Sequence, residues 1–260
     1  MSDDEREEEW WLGGERPSWR DLLAAIAWLT ALPVGVMAPV RQGTAALFYP
    51  IVGLAIGACW ALCDRAAVEF VPAFPRALLV LGVWLVATGG RYAAGVARTC
   101  AAVVGGNRQR GLESMAGPAL TLPGCIGMLG MLAAQLWSLV ALDRLRLPAL
   151  LYAPMLAAWS VVVLVHGSRA ARTDGRRVKY APAVSFREFA VASVITFGVL
   201  FSLSQAVGIL VGVVVGAAIV GIRVGLHGWL DGLTEASVRA SADITLTLTL
   251  AVFAAFPAAS

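Results

Sequence analysis

The sequence predicts an all-α, polytopic transmembrane helix bundle, and three observations carry that expectation. The chain is 59% hydrophobic and only 14% charged over its 260 residues, whereas a soluble domain is about a quarter charged. Its mean hydropathy of +0.77 is too high for a larger water-excluded core, which makes the bilayer the solvent. No segment alternates apolar and polar residues as a barrel strand does, and unpaired backbone in lipid is costly, so helices remain.

A spanning helix needs roughly 20 mostly apolar residues. Eight segments qualify in whole or part: Asp21–Val40, Thr44–Cys63, Ala77–Gly90, Ala119–Leu142, Leu147–Val165, Phe189–Ser204, Ala206–Ile222 and Ile244–Ala259. This gives about 7–8 membrane segments. Pro33 in LPVG (Leu32–Gly35) breaks the first, which is expected to be re-entrant, dipping in and returning. Ser204-Gln205 weakly divides the sixth from the seventh. Within GILVGVVVGAAIVG, Gly208, Gly212 and Gly216 fall four apart, a small-residue face suited to close helix packing. Six of the 17 acidic residues lie in Asp3–Glu9. Residues 1–19 therefore read as an acidic, disordered tail, and residues 20–260 as a single transmembrane domain. The tail is unlike a secretory signal, which opens basic.

Of the 20 basic residues 19 are Arg, and their placement sets the topology. Arg91, Arg98, Arg108 and Arg110 follow the third segment; Arg169, Arg172, Arg176, Arg177, Lys179 and Arg187 follow the fifth. Two helices separate these groups, and two more separate the second from Arg223–Arg239. Polar segments near 91–117, 166–188 and 223–243 are thus expected together at the cytoplasmic face of a bacterial cytoplasmic (inner) membrane, with lipid as the first partner. A re-entrant first segment keeps Arg6, Arg16 and Arg20 on that side too.

The default site lies where these segments converge. Asp231 and Glu235 are four apart and on a helix would share one face. With Glu113 they are the candidate metal ligands, since a hard divalent cation takes carboxylates plus substrate phosphates. The plainer alternative is a solvated helix with ordinary surface acids. The run SRAARTDGRRVK (Ser168–Lys179) is either a phosphate clamp or an anchor on anionic lipid. Candidate phosphate contacts are Arg98, Arg108, Arg110 and Arg172. Cys59, Cys63, Cys100 and Cys125 form no CxxC pair, and His166 and His227 are far apart, which argues against zinc. No GxSxG setting points to a hydrolase. Nothing points to nucleic acid. A small transporter would rest on hydropathy alone.

Several strings resemble one family in their order and spacing. They are AWLTALPVG (Ala27–Gly35), FYPIVGLAIG (Phe48–Gly57), TGG (Thr88–Gly90), RQRGLESM (Arg108–Met115), AAWSVVVL (Ala157–Leu164) and AARTDG. Over about residues 22–255 the chain resembles the cobalamin synthase family, adenosylcobinamide-GDP ribazoletransferases. The resemblance implies a magnesium-dependent phosphotransfer that joins the cobinamide phosphate of adenosylcobinamide-GDP to α-ribazole or its phosphate and releases GMP. It also implies corrinoid and nucleotide ligands, and leaves open a homo-oligomer or a complex with other cobalamin-assembly proteins. A cation neutralises the charge that spreads over a diphosphate under attack.

The chain departs from the family pattern at the chemistry. After TGG, the family histidine falls on Tyr92 and its three aspartates on Ala94, Arg98 and Ala101. The family KDSRxGT falls on Ala116–Leu122, the arginine of GRW on Ala158, and the C-terminal acids on Arg239 and Ala242. Arg98 in place of a carboxylate reverses the local charge. LDGLTE (Leu230–Glu235), with His227 nearby, resembles the lost HLDGLAD string and offers a relocated metal site. The alternative is a non-catalytic relative, a pseudoenzyme that binds corrinoid or nucleotide or partners an active synthase.

Overall fold

Polar caps set some of the helix starts, and the apolar runs set the lengths. The protein was analysed as a computed structural model that describes residues 17–34, 42–117, 121–173, 176–177 and 184–256. The acidic stretch at 3–9 and the positions Asp174 and Lys179 lie outside the described residues.

Helix α1 (Trp19–Leu29) opens on a capping box. The Ser18 hydroxyl accepts from the Arg20 amide, and the Asp21 carboxylate accepts from the Ser18 amide at 2.8 Å. It stops at Thr30, three residues before Pro33, where the chain is extended. One helical turn at Gln42–Ala45 and a 3₁₀ turn at Ala46–Phe48 lead into α2 (Tyr49–Ala67). Then come α3 (Ala73–Thr88), α4 (Arg91–Val104), α5 (Arg108–Ala116, capped by Asn107), α6 (Leu122–Ala141, capped by Thr121) and α7 (Arg146–Val165). A small hairpin pairs Arg172–Thr173 with Arg176–Arg177. Helix α8 (Phe186–Leu230) and helix α9 (Glu235–Ala255, capped by Thr234) complete the bundle.

The all-α membrane bundle is as expected. Among the described residues five helices are long and apolar enough to cross a membrane, or six if the bent α3–α4 pair is one span. Helix α1 has 11 residues, about 16 Å of rise, roughly half the hydrocarbon thickness. Trp28 near its C-terminus stacks on Tyr49 at the start of α2, centroids 5.4 Å apart. The chain therefore does not cross between α1 and α2.

The sixth and seventh expected segments lie in the continuous α8, yet they remain two arms. A Cβ on Gly212 would meet the side chains of Leu200 and Phe197 at 2.8 and 2.9 Å. In a straight helix, 15 residues of separation is about 22 Å, so α8 reverses direction between Leu200 and Gly212. Trp159 of α7 sits in this hairpin. It packs edge-on to Phe197, faces Gly216 and donates to the Ser193 hydroxyl at 3.1 Å. Helix α7 is apolar all round and buried along nearly its whole length, which makes it the central post.

Side-chain contacts identify the two ends of the bundle. Asp64 of α2 accepts two hydrogen bonds from Arg146 of α7, at 2.9 and 2.7 Å, and lies 3.3 Å from Arg76 of α3. The opposite end gathers the three polar segments. The Ala171 amide donates to Leu233 and the Leu233 amide to Arg169, and Arg108 donates to the Leu230 carbonyl. The convergence expected for 91–117, 166–188 and 223–243 is therefore present in their described parts.

Candidate functional site

The site begins with the glycine pair that ends α3. Gly89 and Gly90 both hold left-handed backbone, φ 61° and 65°, a conformation that costs other residues roughly 1–2 kcal/mol. They turn the chain by 86° and send α4 across the direction of α3. The first turns of α4 then lie against the first turns of α9. Contact is close because position 95 is glycine: a Cβ there would meet the Arg239 Cβ at 2.8 Å and the Ala236 carbonyl at 3.0 Å.

Between these helices and α5 is a cavity of about 550 Å³, lined by Gly89–Arg91, Ala94, Gly95 and Arg98, by Leu112, Met115 and Ala116, and by Thr234–Ala236 and Arg239. Three arginines and one glutamate face it. Arg91 donates to the carbonyls of Ala27 and Thr30 at 3.2 and 3.0 Å, which caps the end of α1. Arg239 pairs with Glu235 at 2.6 Å and lies over the Trp28 ring at 5.3 Å. Arg98 has no such partner: its Nε is buried without a hydrogen bond, and so is the Nε of Arg239. The N-terminal turns of α4 and α9 both border the cavity and add positive potential from their free amides.

The other expected residues fall outside this lining. Tyr92 and Ala101 are buried, and Tyr92 packs on Trp84 with centroids 5.1 Å apart. Arg108 and Arg110 are exposed, and the Arg108 Nε is bound to the Leu230 carbonyl at 3.0 Å. Glu113 is exposed and 3.4 Å from the Gln109 amide. Arg172 lies in the small hairpin, its side chain outside the described residues.

Asp231 and Glu235 do not share a helix face. Helix α8 ends at Leu230, Asp231 is its left-handed C-cap at φ 54°, and Glu235 is the first residue of α9. The Asp-Gly turn intervenes, and Asp231 faces outward. The candidate contacts read from the sequence did not include Arg91 or Arg239, although Arg239 falls where the family resemblance sets an acid. For Arg239 the signal was present as the i,i+4 spacing from Glu235. Below the cavity, Trp84 donates to the buried Asp243 at 3.2 Å, two turns along α9 from Glu235.

Magnesium does not fit this lining. A hard cation takes oxygen donors in near-octahedral geometry, and the lining offers one carboxylate, already paired with Arg239. Among the described residues no group of three or more His, Cys, Asp or Glu gathers anywhere. The arrangement instead suits an anion with several oxygens, because arginine forks match phosphate.

A sequence model described as cobalamin-5-phosphate synthase matches residues 21–254. An adenosylcobinamide-GDP ribazoletransferase from Pseudomonas paraeruginosa is 30% identical over 203 residues, 75% of this chain and 82% of the relative. Its namesake from Pseudomonas aeruginosa is 30% identical over 197 residues, 74% and 80% of the two chains. That from Geotalea daltonii is 28% identical over 176 residues, 66% and 71%. No solved structure matches the chain. The family model covers nearly the whole bundle, and this multi-pass membrane protein belongs to the cobalamin-5-phosphate synthase family.

Proposed function

We propose that the protein acts in late cobalamin assembly as an adenosylcobinamide-GDP ribazoletransferase. The hydroxyl of α-ribazole, or of its phosphate, would attack the phosphorus that carries cobinamide. The new ester bond forms, the diphosphate bridge breaks, and GMP leaves. The observation that carries the reading is the cavity at Gly89–Arg98 and Thr234–Arg239, built by the segments that the family resemblance singles out. Its arginines suit a diphosphate. Glu235 is the one carboxylate of the described lining and so the acceptor available for the hydroxyl proton. The positive segments at this end support a reading in which it faces the cytoplasm from the bacterial inner membrane.

The lack of a carboxylate cluster among the described residues favours a second reading, in which the protein binds the corrinoid nucleotide without turning it over, or pairs with an active synthase. One experiment separates the two. Purified protein is incubated with adenosylcobinamide-GDP and α-ribazole, with and without magnesium, beside the Pseudomonas aeruginosa relative. Release of GMP with formation of the joined product supports the transferase. Absence of product, with the relative active, leaves the binding role.

A further inference from the structure

We propose that the cavity between α4, α5 and α9 holds a diphosphate diester through arginine alone, with no divalent cation, and that Arg98 is its principal contact. The inference rests on the proposed corrinoid-nucleotide reading for the identity of the ligand, and on the cavity's own chemistry for the mode of binding.

Charge is the first support. Three arginines against one glutamate leave the described lining at net +2. A diphosphate diester carries one ionised oxygen on each phosphorus, so it arrives with the complementary charge. A bound divalent cation would instead have to enter a wall that is already positive, beside a carboxylate neutralised at 2.6 Å.

The second support is the unequal occupation of the three arginines. Arg91 spends its guanidinium on the end of α1, and Arg239 spends one nitrogen on Glu235. Among the described residues nothing bonds Arg98, although its Nε is buried. A buried donor without an acceptor has lost the hydrogen bond it made in water, and the loss is larger when the donor is charged. A ligand oxyanion would remove that cost, which makes Arg98 the group with most to gain from binding.

The position of Arg98 strengthens the point. It stands one turn beyond Ala94 on the same face of α4, at the place where the family resemblance sets a carboxylate. An arginine there does directly what a carboxylate does through a metal: it brings positive charge to a phosphate oxygen. A lipid headgroup offers the same phosphate chemistry, so the test must separate the two sources.

The test uses the full chain in phosphatidylcholine nanodiscs, with adenosylcobinamide-GDP and inorganic diphosphate as probes and binding read by calorimetry in EDTA. The expected result is binding in EDTA that magnesium does not strengthen. Arg98→Ala is expected to weaken it roughly ten- to a hundredfold, the worth of one charge-assisted pair. Glu235→Gln is expected to strengthen it, since it removes the only negative group of the described lining; a merely structural role for the pair would not give opposite signs. Thermal melting of both variants checks that they are folded. Binding that appears only with magnesium overturns the inference and leaves the transferase reading intact. Catalysis can fail while EDTA-resistant, Arg98-dependent binding persists, which keeps the inference and removes the transferase. Loss of probe binding when phosphatidylglycerol replaces phosphatidylcholine assigns the cradle to lipid phosphate and overturns the diphosphate claim.

Discussion

Removing the carboxylate of Asp64 should destabilise the protein more than any other single change at the end of the bundle away from the cavity. Asp64 is buried, and its two carboxylate oxygens accept from Arg146 at 2.9 and 2.7 Å, with Arg76 at 3.3 Å. The two arginine side chains are only 13% and 12% exposed. Asp64→Ala leaves two guanidinium groups facing each other with no counter-charge. Deleting one partner of a buried pair costs about 3–5 kcal/mol, which corresponds to roughly 6–20 °C of melting midpoint for a chain of this size. Arg146→Ala should cost less, because Arg76 still neutralises Asp64, although the Leu139 carbonyl loses its donor at 2.7 Å. Arg76→Ala should cost least, since its contact is the longest. The assay is thermal unfolding in one detergent, with ligand binding by the folded fraction as control. Binding should be unchanged, because the cluster joins α2, α3 and α7 at the end opposite the cavity. A melting midpoint for Asp64→Ala within about 2 °C of the parent, below the scale of a buried pair, would refute the reasoning, as would the reverse order of the three variants.

Gly95→Leu should separate α4 from α9, since even a Cβ meets Arg239 at 2.8 Å; overpacking of this kind costs about 1–3 kcal/mol. Diphosphate binding should fall along with the melting midpoint. Trp84→Phe removes the donor to buried Asp243, and a charge-bearing bond of this kind is worth about 1.5–3 kcal/mol; circular dichroism melts should show the loss. In a cysteine-free background, single cysteines at Asn107, Ser168 and Asp231 should react with an impermeant maleimide from one side of the membrane, and those at Glu69 and Arg144 from the other. Labelling of Asn107 and Ser168 from opposite sides would break the shared end.

Much of the bundle was legible because hydropathy reports lipid contact directly. Even the reversal inside α8 had its sign, in Ser204-Gln205 and in the glycines that face Phe197 and Trp159. Asp21–Val40 is mostly apolar, and apolarity does not distinguish a dip from a crossing; Pro33 carried that distinction. The sequence marks residues 91–104 as part of a polar segment; they form a 14-residue helix, since Gly89 and Gly90 absorb the bend and leave the helix regular. Asp231 and Glu235 fit a helical spacing, but the Asp-Gly pair between helices overrode it. Asp64 and Asp243 could not be read at all, because their partners lie 82 and 159 residues away.

The same geometry limits what would restore a metal site. Ala94 and Arg98 line the cavity on successive turns of α4, whereas Ala101 is buried outside the lining. Two aspartates at the first pair of positions, facing Glu235 across the cavity, would put three carboxylates against Arg91 and Arg239. The lining would move from net +2 to about −1 by the same charge count, and a hard cation prefers such oxygen donors. The double variant A94D/R98D should therefore gain magnesium binding near millimolar cation, measurable by calorimetry, while losing EDTA-resistant diphosphate binding. Adding A101D should bring no further affinity and should lower the melting midpoint, because a carboxylate there is buried without a ligand to share it. If the double variant binds no magnesium while the triple does, Ala101 faces the ligand and the cavity wall is drawn in the wrong place. If neither binds, α4 and Glu235 do not face one another closely enough to share an ion, and a single arginine-lined cradle between them is untenable.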